Sequence, residues 1–130
     1  MRPDIRKYLL LAIGLLFLLV SNGRWIIPVA TWLFPVFIIR FLRTQKNPWH
    51  IFICSIAYIG LFCIAWKGLI LLSGPLYYVV AGGIGLAFLI PFLIDKFLSP
   101  RIPGFLATLV FPLAWTSMEF IGFQFKPYGT

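Results

Sequence analysis

The apolar residues of this chain are collected into long windows without charge, and short polar segments separate these windows. Such windows predict membrane-spanning helices, because an α-helix needs about 20 apolar residues to cross the hydrocarbon core of a bilayer. The pattern predicts an all-α fold, a multi-pass transmembrane helical bundle that forms a single domain over residues 1–130. The predicted spans cover residues 8–23, 25–42, 49–72, 76–94 and 102–123.

Composition agrees with a protein whose solvent is lipid. Hydrophobic residues make up 62% of the chain and charged residues 11%, whereas a soluble domain carries about 25% charged residues. The net charge of +8 does not favour nucleic acid as a partner, because the basic residues lie in short loops between apolar windows. We therefore predict contact with membrane phospholipids and no nucleic-acid binding.

The distribution of Lys and Arg predicts the orientation of the bundle. Cytoplasmic loops are enriched in basic residues, and this rule places the N-terminus in the cytoplasm and the C-terminus outside. The inner set would be Arg2, Arg6, Lys7, Arg40, Arg43, Lys46, Lys96 and Arg101. The outer set would be Arg24, Lys67 and Lys126.

The first window also has features of a secretory signal peptide, since a basic start precedes an apolar run and the polar Ser21-Asn22-Gly23. There is no Ala-x-Ala, and a second apolar window begins at Trp25, so a hairpin of two spans is the favoured interpretation.

Other features predict how helices pack. Trp32 and Trp115 lie deep in their windows and are expected to pack against neighbours. Small residues four apart, Ala81 with Gly85 and Gly83 with Ala87, are typical of close helix contacts.

One acidic residue, Glu119, lies inside an apolar window. It follows Trp115 by four positions, so both side chains are expected on one helix face. An acid in a membrane segment is a functional hypothesis with a partner to be named, and Lys126 and Lys67 are the candidates. The alternative is that Glu119 only reaches the outer headgroups. Trp115 and Glu119 are the predicted lipid- or substrate-facing residues.

The remaining reactive residue types do not form a predicted site. Cys54 and Cys63 lie nine positions apart in one apolar window, which places them on opposite faces of a helix. The single histidine, His50, is predicted at the inner boundary, and no cysteine or histidine has metal-ligand spacing. The sequence therefore predicts no catalytic residue, no metal and no cofactor.

The stretch from Phe111 to Phe120, followed by Lys126-Pro127-Tyr128-Gly129-Thr130, resembles the late membrane segment of bacterial apolipoprotein N-acyltransferases. The resemblance lies in a Pro-x-x-Trp-x-x-x-Glu pattern, here Pro112, Trp115 and Glu119. The early hairpin, with its polar break and the basic loop after it, also fits the start of that family.

The resemblance implies a membrane domain of several helices joined to a nitrilase-like domain outside the membrane. In the family, a Glu-Lys-Cys set in that domain transfers an acyl chain from a phospholipid to the N-terminal cysteine of a lipoprotein. This sequence reaches Thr130 without that domain or its catalytic residues.

The resemblance therefore implies an N-terminal membrane domain, natural or truncated, in the bacterial inner membrane. It would anchor or admit lipid, with a nitrilase-like domain or other membrane helices as partners. The alternative is a small transporter subunit or assembly partner unrelated to acyl transfer. A transporter is expected to bring polar groups together at the bilayer midplane, and the windows contain few of them.

Overall fold

The structure of the protein is a computed structural model and describes residues 3–21 and 27–124. Within these ranges the chain is all-helical, as predicted, and contains no strand. The helices are α1 (Pro3–Ser21), α2 (Pro28–Thr44), α3 (Pro48–Ala65), α4 (Pro75–Leu98) and α5 (Leu106–Gln124). A short 3₁₀ helix, Ser99–Arg101, follows α4 directly.

Three segments are long and apolar enough to cross a membrane: α3, α4 extended to Arg101, and α5. Their large apolar side chains are mostly exposed, as expected when lipid rather than protein surrounds a helix. α1 carries Asp4, Arg6 and Lys7 near its start, and α2 has 17 residues, so neither provides a comparable length of uncharged helix. The chain is thus a membrane protein with transmembrane helices.

The third helix is shorter than the predicted span over residues 49–72. It ends at Ala65, and Trp66 caps it with a backbone N–H that donates to the carbonyl oxygens of Ile64 and Phe62. Gly68 then adopts a φ of 99°, a left-handed conformation that only glycine reaches without strain. The predicted span continued to residue 72 because apolar residues follow Lys67 and Gly68.

The fourth and fifth helices also differ from the predicted spans. α4 continues past residue 94, through Asp95 and Lys96, because neither residue breaks a helix. α5 begins at Leu106 rather than at residue 102, after a turn in which Gly104 has a φ of 67°. Helices α2, α3 and α4 each begin with proline, which suits a first helical position that has no intrahelical N–H partner.

The chain divides into two compact units, Met1–Leu86 and Ala87–Thr130. In the first unit, α1 and α2 run antiparallel. The Thr31 hydroxyl donates to the Ser21 carbonyl oxygen at 3.1 Å at one end of the pair. At the other end, the Tyr8 ring lies 6.2 Å from that of Phe41 and 6.0 Å from that of His50. The start of α1, the end of α2 and the start of α3 are therefore neighbours.

That shared end of the first unit is basic. The segments that meet there carry Arg6, Lys7, Arg40, Arg43 and Lys46. All five belong to the set predicted to lie in the cytoplasm. The fold therefore brings together, at one end of the unit, basic residues from two separate parts of the sequence.

The contact between α3 and α4 depends on one of the two predicted pairs of small residues. Ala81 is fully buried, and a Cβ built on Gly85 would lie 3.1 Å from Cδ1 of Phe62. The Tyr77 hydroxyl adds a hydrogen bond to the Cys63 carbonyl oxygen. A Cβ built on Gly83 would have no atom within 4 Å, so the second predicted pair does not form this contact.

The prediction that Trp32 packs against neighbours is wrong. Its side chain is 81% exposed on α2, while Ala30 and Phe34 on the same helix are buried. Depth along a window fixes the height of a residue in the bilayer, but the rotation of the helix decides whether its side chain meets protein or lipid.

Candidate functional site

The predicted site residues lie in the middle of α5. Pro112 is accommodated within this helix, and the Thr116 hydroxyl donates back to the Pro112 carbonyl oxygen at 2.8 Å. Because the helix is continuous from Leu106 to Gln124, Trp115 and Glu119 are separated by a little more than one turn and share a face.

Trp115 and Glu119 form a hydrogen bond, as their spacing permits. The indole Nε1–H donates to Oε1 of the carboxylate at 2.9 Å. Trp115 is half-buried and Glu119 is exposed, so the pair presents a carboxylate to the surroundings of the helix. The predicted shared face is confirmed, and the contact needs no other segment of the chain.

Three phenylalanines hold the indole of Trp115. Its ring centroid lies 5.3 Å from that of Phe88, 5.5 Å from that of Phe111 and 6.0 Å from that of Phe92, with an edge-on arrangement for Phe92. Phe92 is fully buried and also packs on Phe111 at 4.8 Å. We call these four rings the aromatic cluster. Such tilted and edge-on pairs contribute about 0.5–1.5 kcal/mol each beyond area burial.

The aromatic cluster and the hydrogen bond both act on the indole of Trp115. The rings of α4 and α5 fix the plane of Trp115, and its N–H then fixes one oxygen of Glu119. The carboxylate is thus preorganised, and no residue among 3–21 and 27–124 forms a hydrogen bond with Oε2, which can accept one from a cation or another donor.

The structure describes only one of the two lysines that were predicted as partners of Glu119. Lys126 lies outside the described residues. Lys67 is an exposed residue of the turn that follows α3. A pairing of Glu119 with either lysine therefore stays a prediction.

The two cysteines have different environments on α3. Cys54 is fully buried, whereas Cys63 is half-buried, and both are free thiols. His50 lies at the start of the same helix, beside Tyr8. In the described part of the chain, no three His, Cys, Asp or Glu residues are grouped so as to hold a metal ion.

Sequence reasoning missed two features near the end of α4. Asp95, which precedes Lys96 on α4, is only 1% exposed. The sequence offers no signal for this burial, because apolar residues surround α4 and do not reveal its inward face. The second feature is a groove with a volume of about 350 Å³, to which Arg101 contributes the charged side chain.

No family model matches this chain, and neither a curated protein nor a solved structure matches it. The fold itself defines the class, an all-helical membrane protein with transmembrane helices. The resemblance to apolipoprotein N-acyltransferases rests on the sequence around Trp115 and Glu119.

Proposed function

We propose that this chain is the N-terminal membrane domain of an apolipoprotein N-acyltransferase-like protein in the bacterial inner membrane. It spans the bilayer five times, with its N-terminus in the cytoplasm and its C-terminus outside. Its role is to anchor a catalytic part and to help admit lipid, and the acyl transfer itself is carried out elsewhere.

The observation that carries this proposal is the hydrogen-bonded pair of Trp115 and Glu119. A carboxylate on an apolar helix is costly in lipid, and here a half-buried indole holds it in one orientation. Trp115 and Glu119, which carry the resemblance, are thus also the two residues that form this hydrogen bond. A carboxylate held in one orientation suits recognition of a partner or a lipid better than a carboxylate with no fixed orientation does.

The proposed topology is supported by the basic end of the first unit. Arg6, Lys7, Arg40, Arg43 and Lys46 collect where α1 starts, α2 ends and α3 starts, as the positive-inside rule expects of a cytoplasmic face. The uncharged parts of α1 and α2 are short for a span, but Lys and Arg at the ends of these helices can extend their side chains to the headgroups.

A second function, that of an assembly partner unrelated to acyl transfer, is favoured by the surface of α5. Thr116, Ser117 and Glu119 are all exposed on this apolar helix. Polar side chains in membrane helices often form hydrogen bonds with a neighbouring helix, so this surface also suits another membrane protein.

Fragment complementation tests the first function. The chain is expressed with the later helices and nitrilase-like domain of a family member, in bacteria depleted of their own apolipoprotein N-acyltransferase. The mass of a lipoprotein N-terminal peptide reports acylation. We expect acylation only when both parts are present, and we expect Glu119→Leu to reduce it.

Ser117→Ala is the matched control, because Ser117 is exposed on the same helix and does not contact Trp115 through a hydrogen bond. It should leave acylation unchanged. A chain that inserts in the membrane but restores no acylation would refute the first function. Co-purification of that chain with a different membrane protein would favour the second.

A further inference from the structure

The groove in the second unit follows one face of the C-terminal half of α4 and continues onto the 3₁₀ helix. Its lining residues are Ile90, Leu93, Ile94, Phe97, Leu98 and Arg101. They recur at intervals of three and one, which is the spacing of a single helical face. The groove is therefore an apolar strip that ends on one cation.

Arg101 is the charged member of this lining, and its side chain is exposed. Within the two described ranges it forms no ion pair and no side-chain hydrogen bond. Asp95 and Lys96 lie between the lining positions and do not contribute to the groove. The positive charge at its end is thus that of one guanidinium.

The length of the strip matches one leaflet of a bilayer. From Ile90 to Arg101 the chain advances by eleven residues, which is about 18 Å at rises of about 1.5 Å per residue in α4 and about 2.0 Å in the 3₁₀ helix. The hydrocarbon core of a bilayer is about 30 Å thick, so the acyl chains of one leaflet span about 15 Å. A cation placed at Arg101 is therefore at headgroup level when the apolar strip lies along an acyl chain.

We propose that this groove binds one anionic phospholipid, with its phosphate on Arg101 and an acyl chain along Ile90, Ile94 and Phe97. Guanidinium groups match phosphate oxygens in a bidentate geometry. A packed apolar helix would cover the strip but leave the guanidinium without an anion. Charge complementarity therefore selects the lipid. This site is independent of the proposed acyltransferase relationship.

Native mass spectrometry of the full chain in mild detergent tests the site. The probes are dioleoyl phosphatidylglycerol and dioleoylglycerol, which share their acyl chains and differ in the phosphate headgroup. We expect one phosphatidylglycerol to remain bound and dioleoylglycerol to be lost. Arg101→Gln should weaken phosphatidylglycerol binding about fivefold, which is what one cation near an anionic headgroup typically contributes, and Arg101→Lys should retain most of it.

Arg40→Gln is the matched charge control, because Arg40 is an exposed cation on α2 and does not line the groove. For the apolar part, Ile94→Trp should fill the strip and weaken binding, whereas Leu86→Trp should not, since Leu86 is exposed on the same helix outside the groove. Thermal unfolding of each variant verifies its fold.

Three results would overturn the proposal. One is equal retention of the two lipids by the unsubstituted chain. Another is a folded Arg101→Gln variant that binds phosphatidylglycerol as tightly as the Arg40→Gln control. The third is a dimer mass that Ile94→Trp abolishes while lipid binding persists, because a second copy of the chain would then occupy the strip.

Discussion

Gly85 of α4 lies directly against the ring of Phe62 on α3. A Cβ placed on Gly85 would come within 3.1 Å of Cδ1, 3.3 Å of Cγ and 3.4 Å of Cβ of that phenylalanine. Phe62 is itself 2% exposed and stacks on Trp66 at 5.0 Å, so its ring has little room to move. The absence of a side chain at Gly85 is therefore what lets the two helices approach at this point.

We expect Gly85→Ala to lower the free energy of unfolding by about 1–3 kcal/mol, the usual cost of an extra methyl group in a packed interface. Gly83→Ala is the control, because nothing lies within 4 Å of its Cβ position. Both substitutions gain the same helix propensity. Thermal unfolding in detergent, followed by circular dichroism, should separate the two variants, and equal shifts would contradict the contact.

A second close approach joins α1 and α2. A Cβ on Gly14 would lie 3.0 Å from Cβ of Phe37 and 3.4 Å from the backbone nitrogen of Ile38. Because backbone cannot yield as a side chain can, Gly14→Ala should destabilise the chain by about 1–3 kcal/mol or more. Titration with a denaturing detergent measures this, with Gly60→Ala, whose Cβ would meet open space, as reference. A reference variant as unstable as Gly14→Ala would argue against the tight contact.

For the candidate site we expect a graded series of stabilities. Glu119→Gln retains an acceptor for the Trp115 N–H and should change stability by less than about 1 kcal/mol. Glu119→Leu removes the acceptor and should cost about 1 kcal/mol. Trp115→Ala also removes the packing on Phe88, Phe92 and Phe111, so we expect about 2 kcal/mol or more.

The same thermal measurement in detergent ranks these three variants. If Glu119→Gln were as damaging as Trp115→Ala, the carboxylate charge would be held against a buried cation. Glu119 would then have a role beyond accepting the hydrogen bond from Trp115.

The proposed topology predicts which loops an impermeant thiol reagent reaches. With Cys54 and Cys63 replaced by alanine, a cysteine at Ser73 should react in spheroplasts. A cysteine at Thr44 should react only after the membrane is broken. Both positions are exposed, so accessibility to the reagent reports the side of the membrane. The opposite pattern would invert the orientation.

The purified chain by itself is expected to transfer no acyl group to a lipoprotein peptide. Its cysteines are buried or half-buried on α3, and the nearest basic side chain on that helix is His50 at its start. Mass spectrometry of the peptide after incubation with phospholipid measures transfer. Activity that survives Cys54→Ala and Cys63→Ala would reveal chemistry that these residues do not explain.

Local features of the site were predictable because they depend on a single helix. The spacing of Trp115 and Glu119 requires only 3.6 residues per turn, and the structure places their side chains in hydrogen-bond contact. The aromatic cluster was not predictable in the same way. It needs Phe88 and Phe92 from α4 to meet α5, and the sequence does not specify which faces of two helices oppose each other.

The sequence by itself determined that this protein is helical and apolar. In lipid every backbone N–H and C=O must be paired within the chain, and charges are excluded from the core, so long uncharged windows can only become helices. The tertiary structure decided the rotation of each helix about its axis. That rotation buries Asp95, exposes Trp32 and makes Gly85 rather than Gly83 the point of contact. Apolar residues surround these membrane helices on every side, so their pattern does not reveal the inward face.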